Sequence, residues 1–416
     1  MPFEMPKSRA GQRRIGARET VALLAGLMAL NAFAIDAMLP ALPAIGESLG
    51  VTDENRRQLV VVLYMAGFGS TQLLWGPLAD RFGRKPILAL GVILYGVFAA
   101  LCGFASDFTI LVAARFGMGA SAAVTRVLVT AMVRDLFEGE QMARVMSLVF
   151  MVFMLIPMLA PSVGQLILLV GSWRLIFIVL AVYALIMWLW SYARLSETLH
   201  PDNRRLLEWR TIGTAVGASL RERLSLGYTL GLTAVFGGLT GYIASIQQIV
   251  FDTFQAPAAI GAVFAAVAAP MAFGSWLNSR LVGRFGLRRV GHAGLIAFVI
   301  ASVGHLLIAV TMGETLWMFV VLQALAMGSF AFTSSNFGTL AMTNMAKFAG
   351  TASSVQGTIQ TIGGAAIGFV IGQSFDGTQI PFLAGMAACS IVALIAVLII
   401  ERGRFFGPIE PPVLRA

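Results

Sequence analysis

The long apolar runs of this sequence contain very few charged side chains, and those few are the first candidates for chemistry. Asp36 is the only carboxylate inside any run, and Arg115 and Arg126 are the only cations. A carboxyl group in hydrocarbon is costly and by default marks the path of an ion or a substrate. Asp36 is therefore a candidate for such a path, although it could instead face outer water as a helix-end residue.

The two arginines belong to one run, and their spacing predicts where they point. Eleven residues are about three helical turns, so Arg115 and Arg126 should point in the same direction, with Arg126 about 16 Å deeper along the helix. Two buried cations on one face favour a water-filled cavity. We expect Arg115 at the depth of Asp36, and Arg126 could equally pair with backbone carbonyls near the inner end.

Composition and run length identify the elements that hold these residues. The chain has 416 residues, of which 58% are hydrophobic and 12% charged, whereas a soluble protein carries about 25% charged residues. Runs near 20 residues are long enough to cross a bilayer as helices. The sequence predicts an all-α integral membrane protein with twelve spans, at roughly 20–39, 59–78, 87–105, 108–131, 145–170, 173–195, 224–249, 258–279, 290–311, 316–340, 350–374 and 380–400.

The distribution of basic residues predicts the topology. If the N-terminus is cytoplasmic, only Arg56, Arg57 and Arg174 of the 29 Lys and Arg residues lie on the outer side of the membrane. Two more lie within a span, and the rest are cytoplasmic. Because positive loops stay on the cytoplasmic side, both termini are predicted to be cytoplasmic. We expect a multi-pass protein of the cell (inner) membrane and a monomer.

A short charged turn, residues 76–86, lies between two apolar runs and reads Gly76-Pro77-Leu78-Ala79-Asp80-Arg81-Phe82-Gly83-Arg84-Lys85-Pro86. We call it the basic turn. It resembles the signature of the major facilitator superfamily, Gly-x-Leu-Ala-Asp-Arg-x-Gly-Arg-Lys. The resemblance implies two six-helix bundles and a conformational switch at Gly76, Asp80, Arg81, Gly83, Arg84 and Lys85. We expect Asp80 to pair with arginines such as Arg134, which we include in the switch.

Two halves are predicted, joined by the longest polar segment. The N-terminal bundle covers 1–195, a basic cytoplasmic linker 196–223, and the C-terminal bundle 224–416. The motif Arg284-Phe285-Gly286-Leu287-Arg288 lies 203 residues after the start of its counterpart at Arg81, with Gly283 in place of Asp80. Parallel repeats of this kind are expected for this superfamily.

Four motifs narrow the resemblance to one branch. The segment from Asp36 to Pro43 is similar to the Asp-x-x-Leu-Pro-Ala-Leu-Pro pattern of bicyclomycin/chloramphenicol-resistance drug:proton antiporters, which implies that Asp36 carries the coupling proton with Arg115. The segment starting at Arg115 resembles an Arg-x-x-x-Gly motif, with Met118 in place of the usual Gln. Pro161 and Gly164 match part of an antiporter motif whose other glycines are absent, and we assign them to the switch. The segment Leu195-Ser196-Glu197-Thr198-Leu199 resembles the Leu-Pro-Glu-Thr-Leu ending of this branch.

Substrate binding is assigned to polar, aromatic and methionine side chains within the spans. The second half offers no acid within a span. His305 is interpreted as a hydrogen-bonded interior residue, with proton carriage as the alternative. The predicted substrate-binding residues are Asn31, Tyr64, Arg115, Met118, Arg126, Met154, Phe236, Tyr242 and Gln247.

The prediction is a proton-coupled exporter of small, amphipathic, drug-like compounds that works by alternating access. The alternative is a transporter of one specific metabolite, either an exporter or a proton symporter. Three histidines and two cysteines form no ligand cluster, so we expect no metal and no cofactor other than a proton gradient. The basic loops are explained by topology, so we expect no nucleic acid, and we expect no enzymatic activity.

Overall fold

The computed structural model describes residues 16–137, 139–199, 209–345 and 349–406, and every regular element within them is a helix. Eleven helices in this part are long and apolar enough to cross a membrane. A shorter apolar stretch, Ile156–Val170, belongs to a further helix of 32 residues. The predicted all-α integral membrane fold is therefore confirmed.

The helices agree closely with the predicted spans, and most extend a few residues beyond the apolar run. In chain order they are α1 (Ala17–Asp36), α2 (Leu42–Ser48), α3 (Leu59–Phe82), α4 (Arg84–Gly103), α5 (Phe108–Leu136), α6 (Gly139–Val170), α7 (Trp173–Arg194), α8 (Trp209–Arg221), α9 (Arg223–Gln248), α10 (Ile260–Phe285), α11 (Leu287–Met312), α12 (Leu316–Ala341), α13 (Ala349–Gln373) and α14 (Ile380–Ile400).

The first span ends earlier than predicted. The helix α1 stops at Asp36, and a short 3-10 turn, Leu39–Ala41, leads into α2. Proline lacks a backbone N–H and disfavours helical geometry in the residue before it, so Pro40 breaks the run within what looked like one helix. Asp36 is consequently the last helical residue, at the C-terminus of α1.

The chain forms two compact units, Met1–Glu208 and Trp209–Ala416. The division falls within the predicted linker, of which the structure describes 196–199 and the residues from 209 onward, including α8. Residues 200–208 lie outside the described part. Each unit contains six long helices.

The two units use the same helix pairings. In the first unit α3 packs on α5, α4 on α5 and α7, and α1 on α6. In the second unit the equivalent pairs are α10 with α12, α11 with α12 and α14, and α9 with α13. Gly83 and Gly286, which are 203 residues apart, both separate two helices and have φ of 105° and 83°. These observations agree with the internal repeat predicted from the sequence.

Glycines allow α3 and α5 to approach within backbone contact. A Cβ on Gly119 would clash with the carbonyl oxygen of Tyr64, and one on Gly67 would clash with that of Phe116. At the same seam Thr71 Oγ1 and Trp75 Nε1 both donate to the carbonyl of Ala120, at 2.7 and 2.8 Å. Small residues at such seams are what permits close helix packing in membranes.

We predict that Gly119→Ala destabilises the first unit, because the added methyl group meets backbone atoms that cannot move without separating α3 from α5. Overpacking of this kind costs about 1–3 kcal/mol. Thermal unfolding of the purified protein would measure the effect. The matched control is Gly304→Ala in α11, where a Cβ meets nothing within 4 Å. Equal melting temperatures for the two variants would contradict the prediction.

Candidate functional site

Asp36 is buried where α1 ends. The residue is 4% exposed, and its Oδ1 has no hydrogen-bond partner in the described part of the chain. A carboxylate at a helix C-terminus also meets the negative end of the helix dipole. Asp36 therefore stands in surroundings that offer little stabilisation to a fixed negative charge, as a group that gains and loses a proton requires.

Arg115 reaches the same region from α5 and is fully buried. Its Nε donates to the carbonyl of Val60 at 2.8 Å and its Nη1 to the carbonyl of Ala34 at 3.0 Å. Ala34 is among the last four residues of α1, whose carbonyls lack partners within the helix. The guanidinium thus caps the C-terminus of α1, two residues before Asp36.

Arg115 is held by backbone carbonyls and not by an ion pair with Asp36. No salt bridge of 4.0 Å or less joins them within the described residues, and Arg115 Nη2 has no hydrogen-bond partner there. The backbone carbonyls of Val60 and Ala34 hold the guanidinium in place instead. The Nη2 group of Arg115 can therefore still donate a hydrogen bond to a new partner.

Three predicted substrate-binding residues lie around Arg115. The Tyr64 ring centroid is 4.4 Å from the guanidinium carbon, a cation–π arrangement. The hydroxyl of Tyr64 donates to Asn31 Oδ1 at 2.8 Å, and Met118 Sδ is 3.6 Å from Arg115 Nη1. Asn31, Tyr64, Arg115 and Met118 therefore form one buried group beside the end of α1, which we call the Arg115 cluster.

Among the predicted substrate-binding residues of the first unit, Arg126 also has a described side chain, and no described contact joins it to the Arg115 cluster. Arg126 is half-buried on α5, and its carbonyl accepts a hydrogen bond from Thr130 at 2.9 Å. The side chain of Met154 lies outside the part of the chain that the structure describes. Arg126 therefore stays a predicted binding residue without a described contact to the Arg115 cluster.

The second-unit residues are placed on α9. Tyr242 and Gln247 are buried, and the ring of Tyr242 packs against Phe264 and Phe382 with centroids 5.6 and 6.2 Å apart. Phe236 is half-buried and packs on Gly364 of α13. Tyr242 therefore belongs to a cluster of aromatic rings within the second unit.

The antiporter-motif residues lie beside the proton candidate. Gly164 of α6 contacts the carbonyl of Ala37, so closely that a Cβ at this position would clash with it. Pro161 is buried one turn earlier in the same helix. Since Ala37 directly follows Asp36, α6 contacts the chain immediately next to the carboxyl group.

The acid of the basic turn pairs with a different arginine from the one predicted. Asp80 forms a salt bridge of 2.7 Å with Arg84, which also lies 3.3 Å from Asp135. Arg134 is exposed, and its predicted pairing with Asp80 is wrong, because Asp80 pairs with Arg84, four residues along the chain and just across Gly83. The three linked residues form one chain of alternating charge.

The remaining switch residues surround this chain. Arg81 lies over the ring of Phe82, 5.1 Å from its centroid, and Lys85 over the ring of Tyr192, at 4.8 Å. Gly76 is half-buried in α3, and a Cβ there would have only Val127 as a neighbour, at 3.7 Å. These residues anchor the basic turn by stacking and packing.

Sequence reasoning missed the role of Glu197. Its carboxylate accepts hydrogen bonds from the backbone N–H groups of Arg84 at 2.9 Å and Lys85 at 3.2 Å, which begin α4. An acid at a helix N-terminus satisfies N–H groups that lack partners and complements the dipole. It also fills the space beside Gly83, where a Cβ would meet the carboxylate. The only available signal was the motif Leu195-Ser196-Glu197-Thr198-Leu199, which does not identify its partner.

The chain is similar to known proteins over most of its length. The family model of the Major Facilitator Superfamily matches residues 24–368. A bicyclomycin resistance protein homolog of Haemophilus influenzae is 30% identical over 372 residues, which cover 89% of this chain and 93% of that protein. The MFS-type transporter YdgK of Bacillus subtilis is 29% identical over 388 residues, which cover 91% and 94%.

Two further similarities are more limited. The multidrug resistance protein MdtL of Shewanella oneidensis is 33% identical over 173 residues, which cover 42% of this chain and 43% of that protein. Among solved structures, the human organic anion transporter MFSD10 (TETRAN) covers 93% of this chain and 100% of its own, with a TM-score of 0.64. At 18% identity that structure supports the fold alone.

We predict that Glu197→Ala lowers the stability of the first unit by about 1 kcal/mol, as expected for the loss of a helix N-cap. For a domain of this size the melting temperature should fall by about 2–4 °C. Glu197→Gln keeps an acceptor oxygen and should show a smaller decrease. The control is Glu54→Ala, since Glu54 contacts Arg57 only at 4.0 Å and is exposed. A decrease no larger than that of the control would contradict the capping role.

Proposed function

This chain belongs to the Major Facilitator Superfamily, and on that premise we propose that it is a proton-coupled exporter of small, amphipathic, drug-like compounds. It is a multi-pass membrane protein and a transporter, not an enzyme. Transport of a small-molecule substrate follows from the family. Proton coupling, the drug-like substrate class, the inner membrane and the cytoplasmic termini are our proposals.

The names of the relatives support export. One relative, which matches this chain over 93% of that relative's length, is a bicyclomycin resistance protein homolog. Another relative, with a shorter match, is a multidrug resistance protein. Resistance proteins of a transporter family act by removing the compound. We therefore prefer an exporter to the alternative transporter of one metabolite.

One observation carries proton coupling: the buried carboxyl group of Asp36, whose Oδ1 has no described hydrogen-bond partner. A permanently charged carboxylate would require partners in such surroundings. A carboxyl group that binds a proton from one side and releases it to the other does not. Acidic residues buried in membrane helices serve as such relays.

In this proposal Arg115 acts on Asp36 through the backbone. Its hydrogen bond to the carbonyl of Ala34 fixes the last turn of α1, and its bond to Val60 ties that turn to α3. A change in charge at Asp36 would act on the same last turn. The free Nη2 of Arg115 offers the substrate a donor in this region, so proton and substrate can compete for one arrangement of the Arg115 cluster. Such competition is reciprocal by thermodynamic linkage.

The charged chain at the basic turn supplies the switch in this proposal. Asp80, Arg84 and Asp135 join α3, α4 and α5, so any motion between these helices changes the distances between the three charges. Gly164, in contact with Ala37, connects α6 to the residue after Asp36. We propose that these contacts stabilise one of the states through which alternating access proceeds.

We predict that Asp36→Asn abolishes proton-driven export while the folded protein remains in the membrane. The amide keeps the shape of the side chain and cannot carry the proton. Efflux from cells overproducing each variant would be measured with a broad compound panel, with and without a proton uncoupler. The control is Asp53→Asn, whose carboxylate is exposed and bonded only to the nearby N–H of Asn55 in the described part. Uncoupler-sensitive efflux by the Asp36 variant would overturn the assignment.

We predict that Arg115→Lys lowers efflux by at least about tenfold. Lysine cannot reproduce the two carbonyl bonds and the stacking on Tyr64 together, and each lost bond of a charged group costs about 1.5–3 kcal/mol. The matched control is Arg174→Lys, since Arg174 also donates to a carbonyl, that of Ala105, and stacks on an indole, that of Trp173. If both variants lose efflux equally, the effect is a general one of arginine packing and the special role of Arg115 is refuted.

A further inference from the structure

The second unit contains a buried pair of ionisable side chains that the proposed function does not use. His305 of α11 and Glu314, in the connection to α12, lie with Nε2 and Oε2 3.0 Å apart, and both side chains are 0% exposed. Buried charges in proteins are paired or else neutralised. Because His305 and Glu314 are buried against each other, the protonation state of each depends on that of the other.

A glycine turn brings Glu314 into this position. The helix α11 ends at Met312, and Gly313 follows with a φ of 67°. Glycine adopts this left-handed region readily, whereas other residues are strained there. The chain thereby reverses and directs Glu314 back toward α11, while Thr315 starts α12 by accepting a hydrogen bond from the N–H of Met318 at 3.4 Å.

The immediate surroundings of the pair are aromatic. The ring of Phe319 lies 5.4 Å from the imidazole, centroid to centroid, and packs in turn on Phe254 at 5.7 Å and Phe382 at 6.3 Å. These rings come from three different segments and separate the pair from water. Such an environment makes a net charge expensive, which is why the number of protons on the pair matters.

The elements packed around the pair provide few other ionisable groups. The helix α12 contains none, and α14 contains no acid, lysine or arginine. The ionisable groups of the surrounding elements are Cys389 on α14, Arg288, Arg289 and His292 on α11, Arg280 and Arg284 on α10, Arg223, Tyr228 and Tyr242 on α9, and Asp252 and Asp376 on the adjoining segments.

None of these groups forms a salt bridge with the pair. Within the described residues, the only salt bridge of 4.0 Å or less to His305 is the one from Glu314. Arg289 is 16 residues from His305 along the same helix, about 24 Å away. Asp376 is hydrogen-bonded to Thr378 in its own loop. Within the described residues, the charge of the pair is consequently not set by a salt bridge to a third group.

Two atoms of the pair remain available for a proton. Nδ1 of His305 and Oε1 of Glu314 are buried and have no hydrogen-bond partner in the described part of the chain. Nearby polar atoms share this property: Ser302 Oγ, one turn before His305, and Gln323 Oε1, one turn after Phe319. The pair therefore has both a shared hydrogen bond and free sites on either side of it.

We propose that His305 and Glu314 together form a proton-binding site in the second unit, separate from Asp36. With one proton between them the pair is neutral overall, as imidazolium and carboxylate or as imidazole and carboxylic acid. With none it has a net charge of −1, and with two a net charge of +1, both of which are costly in these surroundings. The proton belongs to the pair as a unit, as expected for strongly coupled groups. This site does not depend on proton coupling at Asp36.

The test is a measurement of the protonation states of both side chains by NMR, on the full-length protein in lipid nanodiscs with isotope-labelled histidine and glutamate. The chain has three histidines, so H305Q identifies the ring signal and E314Q the carboxyl signal. At pH 7 we expect one proton between the two groups in the wild type. In E314Q the ring should become neutral, while E314D should restore the wild-type state.

The control is E401Q, which removes an acid hydrogen-bonded through Tyr228 to the other histidine of this unit, His292. It should leave the His305 ring unchanged. A neutral ring beside an ionised Glu314 carboxylate at pH 7 would overturn the proposal, and the wild-type spectrum alone decides this even if E314Q does not fold. A ring that stays protonated in E314Q would overturn it as well. Because no arm uses transport, failure here is distinguishable from failure of proton coupling at Asp36.

Discussion

The hydrocarbon of the membrane supplies no hydrogen bonds, and the placement of every buried polar group in this protein follows from that constraint. Arg115 illustrates it. A fully buried guanidinium has five donors, and a helix end has carbonyls without partners, so the arginine and the end of α1 satisfy each other. The same bond explains why α1 can end at Asp36 inside the first apolar run, where the following Pro40 prevents the helix from continuing. The position of the carboxyl group therefore depends on a break in the helix and on a cation that stabilises the break.

The helices could be predicted from the sequence because their information is local. A run of apolar residues must be helical in a membrane, and all twelve runs correspond to long helices. Asp36 and Arg115 could be singled out for the same reason, since a charge in an apolar run is visible by inspection. What the run could not reveal is the end of α1, because the hydropathy continues through Leu39 while the backbone does not.

Partners that are distant in sequence were harder to predict. Asp80 was expected to bind an arginine more than fifty residues away and instead binds Arg84, one turn further along its own segment. Glu314 lies in a short connection between two apolar runs, and nothing in its own segment indicates that its side chain is buried. Only the backbone of Gly313, whose φ is positive, turns that side chain inward. The composition of a loop indicates on which side of the membrane it lies, whereas the burial of one loop side chain depends on the local turn of the backbone.

The repeat shows which interactions the fold requires and which it leaves free to vary. In the first unit an acid after the sixth long helix, Glu197, returns to the start of the third and accepts the N–H groups of Arg84 and Lys85. In the second unit Glu401, directly after α14, lies 3.1 Å from the guanidinium of Arg288, which is 203 residues after Lys85. The acid thus returns to the same helix start in both units, once to the backbone and once to a side chain. The position of Asp80 is different: its counterpart is Gly283, and the charged chain it begins has no acid to start from in the second unit. An interaction present in both units is explained by the need to hold three helices of a bundle together, and one present in only one unit requires a reason specific to that unit. By this argument Glu197 stabilises the fold, whereas Asp80 is the residue of the basic turn whose charge we propose to serve transport.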